Sequence, residues 1–135
     1  MKKSYLFLVF VTLFFGCSDD DNDPVVAVQQ TEDLVEVIAK GNFISGAHPT
    51  SGVASVNGAK TILTFTDFKT DTGPKLLVYL TTEVGSNDYV SLGELKGVSG
   101  NYTYDVPANT DIKKYKIVDI WCVDFSVSFG HAELK

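Results

Sequence analysis

The chain is predicted to fold as an all-β domain, either an antiparallel β-sandwich or a partly closed barrel of about seven to eight short strands. Three observations predict this class. The first two are that runs rich in β-branched and aromatic residues recur at hairpin spacing, and that turn residues such as Asn57-Gly58 separate them. The third is the hydrophobic fraction of 44%, which is sufficient for one core in a chain of 135 residues.

The turns divide the chain into a lead-in and a series of strands. The lead-in, Thr31 to Lys40, is expected as a short helix or as an extended segment. The run 76–80 is nearly all apolar, so it is expected to lie inside the sheet. The first six predicted strands cover residues 42–45, 53–56, 60–68, 76–80, 89–95 and 102–106.

The stretch 116–134 is the candidate for the central strand. Its first part carries apolar side chains at both parities, which indicates cover on both faces. Its second part alternates apolar with polar residues, which predicts one buried and one solvated face. The apolar positions of that second part are Val123, Phe125, Val127 and Phe129.

The N-terminal residues 1–16 are predicted to be a signal peptide. Lys2 and Lys3 precede an apolar run too short to span a bilayer. The run ends in Phe14-Phe15-Gly16-Cys17, which resembles a bacterial lipobox and predicts a lipidated Cys17. The alternative is an ordinary secretory signal with an incidental cysteine.

Residues 17–37 are predicted to form an acidic tether, and residues 38–135 the β domain. Four aspartates within residues 19–23 repel one another and favour an extended, solvated segment. An acidic run directly after the cysteine resembles the surface-export signal of Bacteroidetes lipoproteins, which implies a location at the outer membrane or cell surface. A calcium loop is the alternative, but the glycine and distal glutamate of an EF-hand are absent.

Charge and motif content exclude several classes of function. The net charge is −6 and all eleven basic residues are lysines, which argues against nucleic acid as a partner. The membrane is therefore expected as a partner only through the lipid on Cys17. The sequence contains no Gly-x-Ser-x-Gly motif, phosphate-binding loop or readable catalytic triad, so no enzyme class is assigned. No metal site is predicted, because two histidines and one cysteine in distant segments do not make a ligand set.

Several segments together resemble the DM-thirteen domain, which is labelled an electron-transfer domain. The resemblance extends over about residues 38–135, and its order and spacing are more specific than any one motif. It implies that Cys122 is the family's redox cysteine, acting as a thiol or by binding haem. The matching segments include Gly41-Asn42-Phe43, His48-Pro49-Thr50-Ser51-Gly52, Gly73-Pro74-Lys75-Leu76, Tyr102 to Pro107 and Ile120-Trp121-Cys122.

The residues themselves leave three interpretations of Cys122 open. It is a buried core residue beside Trp121, a reactive thiol, or an iron or haem ligand with His131 as the candidate second ligand. Its nearest charges in sequence, Asp119 and Asp124, disfavour a thiolate. Two functions follow: a redox module acting through Cys122, or a non-catalytic binding or adhesion module in which the cysteine is structural.

Overall fold

The structure is a computed structural model and describes residues 36–135. Its eight strands pair antiparallel in the order β5-β4-β7-β8-β1-β2-β3-β6, and this sheet curls into a nearly closed barrel. The described residues contain no helix, so the predicted all-β class is confirmed. The strands are β1 (Val37–Ser45), β2 (Ser51–Asn57), β3 (Ile62–Lys69), β4 (Leu76–Thr81), β5 (Tyr89–Glu94), β6 (Ser99–Asp105), β7 (Ile117–Cys122) and β8 (Val127–Glu133).

The connection between β5 and β6 bridges the two edges of the sheet. The Leu95 N–H donates to the Leu76 carbonyl at the start of β4, at 2.9 Å. The Val98 carbonyl accepts from the Thr70 N–H at the end of β3, also at 2.9 Å. Leu95 thus continues the pairing of β5 with β4, and Val98 extends the pairing of β6 with β3, so the connection carries the chain from one edge strand to the other.

Aromatic rings fill the part of the core under β1, β3 and β6. Phe43, Phe65, Phe68 and Tyr104 are buried, and their ring centroids lie 4.9–5.0 Å apart. Edge-to-face and tilted contacts at this distance add to the free energy gained from burying the rings, which is roughly 1.5–3 kcal/mol for each large side chain. The rings come from residues distant in sequence, so this cluster fixes the register of three strands.

The predicted turn at Asn57-Gly58 is confirmed. The Asn57 side chain accepts hydrogen bonds from the backbone N–H groups of Thr61 and Ile62, both at 2.9 Å. Lys60 adopts a left-handed conformation, φ 58°, and its N–H donates to the Asn57 carbonyl. The hairpin between β2 and β3 is therefore held by the side chain of the residue that signalled it.

The prediction of a single strand over 116–134 is wrong. The stretch forms two strands, β7 and β8, joined by a turn at residues 123–126 in which Ser126 has φ 52°. Phe125, expected on a buried face, is 62% exposed at this turn. A strand across the whole stretch would extend about 60 Å, at about 3.3 Å per residue, and would overshoot the other strands. The central position is confirmed, because β7 and β8 are the third and fourth of eight strands.

The lead-in is extended where the structure describes it, since β1 begins at Val37. The expected signal peptide, Cys17 and most of the acidic tether lie outside the described residues. Within residues 36–135, no helix has the length and apolar character needed to cross a bilayer.

Candidate functional site

Cys122 is the last residue of β7 and is completely buried, with 0% of its surface exposed. Its inward-facing neighbours on the strand, Val118 and Ile120, are equally buried. It forms no disulfide with any residue in the described range. The cross-strand partners of Cys122 are Leu76 on β4 and Val127 on β8, so apolar side chains flank it on both sides.

A cavity of about 240 Å³ lies at the end of the barrel beside Leu76. Its wall also contains Gly73 and Lys75 and part of the connection after β5. The Lys75 carbonyl accepts a hydrogen bond from the Val123 N–H at 3.0 Å, which ties this wall to the residue that follows Cys122. Leu76 therefore both lines the cavity and is the cross-strand neighbour of the thiol.

His131 lies on β8 opposite Asp119 and is half-buried. Successive side chains on a strand point to opposite faces, so Asp119 and Cys122, three positions apart on β7, face opposite sides of the sheet. His131 shares the outer face with Asp119. The candidate ligands Cys122 and His131 are therefore not brought together.

These residues do not fit a haem that both would hold. Cys122 faces a core of packed aliphatic and aromatic side chains, whereas His131 faces outward. Residues 36–135 also contain no group of three or more His, Cys, Asp or Glu side chains that could hold a metal ion.

Asp119 is a buried carboxyl group on the outer face of the barrel, only 1% exposed. Its Oδ1 accepts a hydrogen bond from the Ser128 hydroxyl, and its Oδ2 accepts one from the Gly85 N–H at 3.2 Å. Burial raises the pKa of Asp119, while these two hydrogen bonds and the opposing His131 act in the other direction. The connection between β4 and β5 covers this carboxyl group, because Gly85 belongs to it.

Tyr79 lies directly across from Asp119 on β4. Its ring stacks on Tyr89 of β5, with centroids 4.0 Å apart and an interplanar angle of 15°. Burial first, and then the Tyr89 hydroxyl and the Asp119 carboxyl group, raise the pKa of Tyr79 to about 12. This outer face thus gathers two tyrosines, a buried acid and a histidine on four adjacent strands.

His48 lies in the connection between β1 and β2. Its ring stacks on Phe129 with centroids 3.9 Å apart, and its Nδ1 lies 2.9 Å from Asp71 Oδ2. The Thr50 hydroxyl in the same connection donates to the Phe129 carbonyl at 3.0 Å. These contacts give His48 a role in fixing the connection onto β8.

Asp119 is the residue that sequence reasoning placed incorrectly in the environment of Cys122. The sequence located it as a nearby charge, whereas the structure separates the two side chains by the sheet. One signal could have found its burial: Asp119 lies between Val118 and Ile120, within a run predicted to be covered on both faces. Asp124 lies in the exposed turn after β7.

A comparison with protein-family models matches residues 42–134 to the family described as Electron transfer DM13. The match begins within β1 and ends one residue after β8, so it spans all but the first residues of the barrel. Neither the curated proteins nor the solved structures contain a significant match.

Proposed function

Because the chain belongs to the electron transfer DM13 family, we propose that it is an electron-transfer module in which the sulfur of Cys122 changes oxidation state. The observation that carries the proposal is the family match over residues 42–134, together with Cys122 as the single cysteine in that range. A thiol is the one side chain of this barrel whose ordinary chemistry includes reversible two-electron oxidation.

Thiol–disulfide exchange with a partner protein is the reaction that this group can perform. The Cys122 thiol loses its proton to solvent, and the thiolate attacks one sulfur of the partner's disulfide. A new S–S bond forms between the proteins and the partner's second sulfur leaves as a thiolate. Cys122 is oxidised in this step and the partner's leaving sulfur is reduced.

Burial of Cys122 requires the barrel to open locally before this exchange. The proposed opening is at the 240 Å³ cavity, where outward movement of Leu76 would uncover the strand position opposite it. Lys75 also lines this cavity, and a cation near an uncovered sulfur favours the thiolate. Local opening of this kind costs less free energy than global unfolding.

The module is further proposed to be held at the outer membrane or cell surface by lipid on Cys17. The support is the sequence Phe14-Phe15-Gly16-Cys17 followed by the acidic run at 19–23. Labelled fatty acid should be incorporated into the chain in its host, and Cys17→Ala should abolish the incorporation. Equal incorporation into Cys17→Ala would refute the anchor without affecting the proposal for Cys122.

The complete burial of Cys122 favours a second candidate, a non-catalytic binding or adhesion module in which this cysteine only fills the core. The two candidates differ in the rate at which the folded chain reacts with a disulfide reagent. A redox thiol should react in the native state by local opening, at a rate that does not follow global stability. A structural thiol should react only after denaturation.

The experiment measures mixed-disulfide formation in the folded full-length chain carrying Cys17→Ala, in which Cys122 is the one thiol, and the same chain with Cys122→Ser is the unreactive control. Leu76→Ala, which removes the side chain that lines the cavity beside the thiol, should accelerate labelling of the redox thiol more than Leu80→Ala does. Leu80 is an equally apolar residue of β4 whose cross-strand partner is Val118. Labelling confined to the denatured chain would refute the redox proposal, and an absorbance band of haem would refute the thiol mechanism.

A further inference from the structure

A second cavity, of about 520 Å³, lies where the chain enters and leaves the barrel. It is bounded by the start of β1, the β2–β3 turn, the connection before β7 and the C-terminus. Ile112 and Leu134 form a buried apolar floor, and Ile38, 42% exposed, forms an apolar side. Its volume falls in the range of small-molecule sites, about 300–1,000 Å³.

Four lysines line this cavity, although the chain as a whole carries a net charge of −6. Lys116 and Lys135 both form ion pairs with Glu133, at 2.9 and 3.3 Å, so two ammonium groups share one carboxylate. Among residues 36–135, Lys60 and Lys113 form no ion pair. The cavity is therefore locally basic in an acidic protein.

Asp111 also lines the cavity and offsets one of the four lysine charges, and one of its carboxylate oxygens is committed to the backbone of its own turn. Its Oδ1 accepts from the N–H groups of Lys113 and Lys114, at 3.0 and 3.2 Å. Its carbonyl accepts from the Tyr115 N–H at 2.8 Å. These bonds fix the backbone that carries Lys113 beside the apolar floor.

Lys60 is also held in place by its turn. It has φ 58°, a conformation that glycine adopts without strain, and its N–H donates to the Asn57 carbonyl at 2.9 Å. The Asn57 side chain closes the same turn through Thr61 and Ile62. The turn therefore presents a lysine at the cavity rim from a fixed backbone.

We propose that this cavity binds a small amphipathic carboxylate of the fatty-acid class. Its alkyl chain lies against Ile38, Ile112 and Leu134, and its carboxylate is held by Lys60 and Lys113. Charge complementarity selects this occupant: an apolar floor with a lysine rim attracts an apolar body with one anionic end, and repels the corresponding cation. The site is independent of Cys122 and of the proposed electron transfer.

The test is a titration of the full-length chain with sodium decanoate, kept below its micelle concentration, followed by amide chemical shifts and calorimetry. One molecule should bind saturably, with shifts at Ile112 and Leu134 and with affinity that falls as salt is raised. Decyltrimethylammonium, which has the same chain and opposite charge, should bind at least about tenfold more weakly. Equal binding of the two probes, or shifts elsewhere in the barrel, would overturn the proposal.

Matched variants separate the head-group and chain contacts. Lys60→Gln with Lys113→Gln should weaken decanoate binding roughly three- to tenfold, as expected for the loss of two solvent-accessible ion pairs. The control, Lys69→Gln with Lys75→Gln, removes the same charge outside the cavity and should leave decanoate binding unchanged. Ile38→Ser should weaken binding several-fold, whereas Ile44→Ser on the same strand, also exposed, should leave it unchanged.

Two other occupants would give different results, and either would overturn the proposal. If the acidic run at 19–23 fills the cavity, replacing its four aspartates with asparagine should create decanoate binding that is absent from the parent chain. If the cavity instead recognises a membrane surface, the chain with Cys17→Ala should bind anionic phospholipid vesicles but not soluble decanoate. The Lys60 and Lys113 substitutions should then abolish the binding to vesicles.

Discussion

The carboxyl group of Asp119 accepts a hydrogen bond from the backbone N–H of Gly85 at 3.2 Å, joining the middle of β7 to the connection between β4 and β5. The Ser128 hydroxyl binds the other carboxyl oxygen. This buried acid thus links one connection and two strands on the outer face of the barrel.

Substitution of Asp119 should distinguish the loss of these acceptors from the loss of charge. Asp119→Ala leaves buried donors without partners and should lower the free energy of unfolding by roughly 1–3 kcal/mol. Asp119→Asn keeps one acceptor for Gly85, and its amide can donate to Ser128, whose hydroxyl already lies 3.3 Å from the Gly130 carbonyl. Denaturant unfolding should therefore rank parent and Asn close together and Ala well below; equal loss in both variants would contradict this account.

The raised pKa of Asp119 fixes the direction in which this residue changes the stability of the fold as pH changes. A carboxyl group whose folded pKa lies above its unfolded value binds more protons in the folded state, so its contribution to stability falls as pH rises through that interval. Asp88 and Glu133, whose pKa values are lowered first by side-chain hydrogen bonds and then by the charge of nearby lysines, contribute in the opposite direction.

The difference between the parent chain and Asp119→Asn isolates this contribution. The parent should lose stability relative to Asp119→Asn as pH is raised from about 4, the ordinary pKa of Asp, and the difference should become constant above the folded pKa. Thermal unfolding across pH 3–8 measures it. A difference that grows in favour of the parent with rising pH would show that the pKa is lowered instead.

Cys122→Ser should destabilise the folded chain by roughly 1–3 kcal/mol, because its hydroxyl would be buried among apolar side chains without a partner. Cys122→Ala removes the sulfur without adding a polar group and should cost less than serine. Thermal or denaturant unfolding of the two variants measures the difference. An unchanged melting curve for Cys122→Ser would contradict the burial of the thiol.

Truncation of the two phenylalanines near the β7–β8 turn should change stability by very different amounts. Phe129→Ala removes a buried ring, 1% exposed, and should cost about 3–5 kcal/mol. Phe125→Ala truncates an exposed ring in the turn and should change stability by less than about 0.5 kcal/mol. Similar losses for both would support the single-strand arrangement that the structure contradicts.

Local patterns predicted much of the barrel because turn chemistry and β composition act over a few residues. Asn57-Gly58 marked a hairpin whose geometry the Asn57 side chain enforces, and the apolar run at 76–80 marked a strand buried within the sheet. The alternation of polar and apolar residues wrongly predicted a strand at 123–126, because residues of both kinds also alternate in this four-residue turn. Periodicity does not encode the length that a barrel allows.

The candidate site was predicted only in part, for a related reason. The resemblance selected Cys122, and its place in an apolar run indicated burial. The side of the sheet on which Asp119 and His131 lie depends on the register between β4, β7 and β8. That register is set by long-range pairing, so a charge three residues from the thiol in sequence is separated from it by the sheet.

The sequence by itself determined the all-β class, most strand positions and the acidic balance, because each depends on residue type and short-range spacing. The family resemblance selected the candidate thiol, Cys122. Only the tertiary structure decided that 116–134 forms two strands, that Asp119 is enclosed on the outer face, and that lysines from distant segments meet around one apolar cavity. The physical reason is that barrel closure brings together residues far apart in the chain, and no local pattern carries that information.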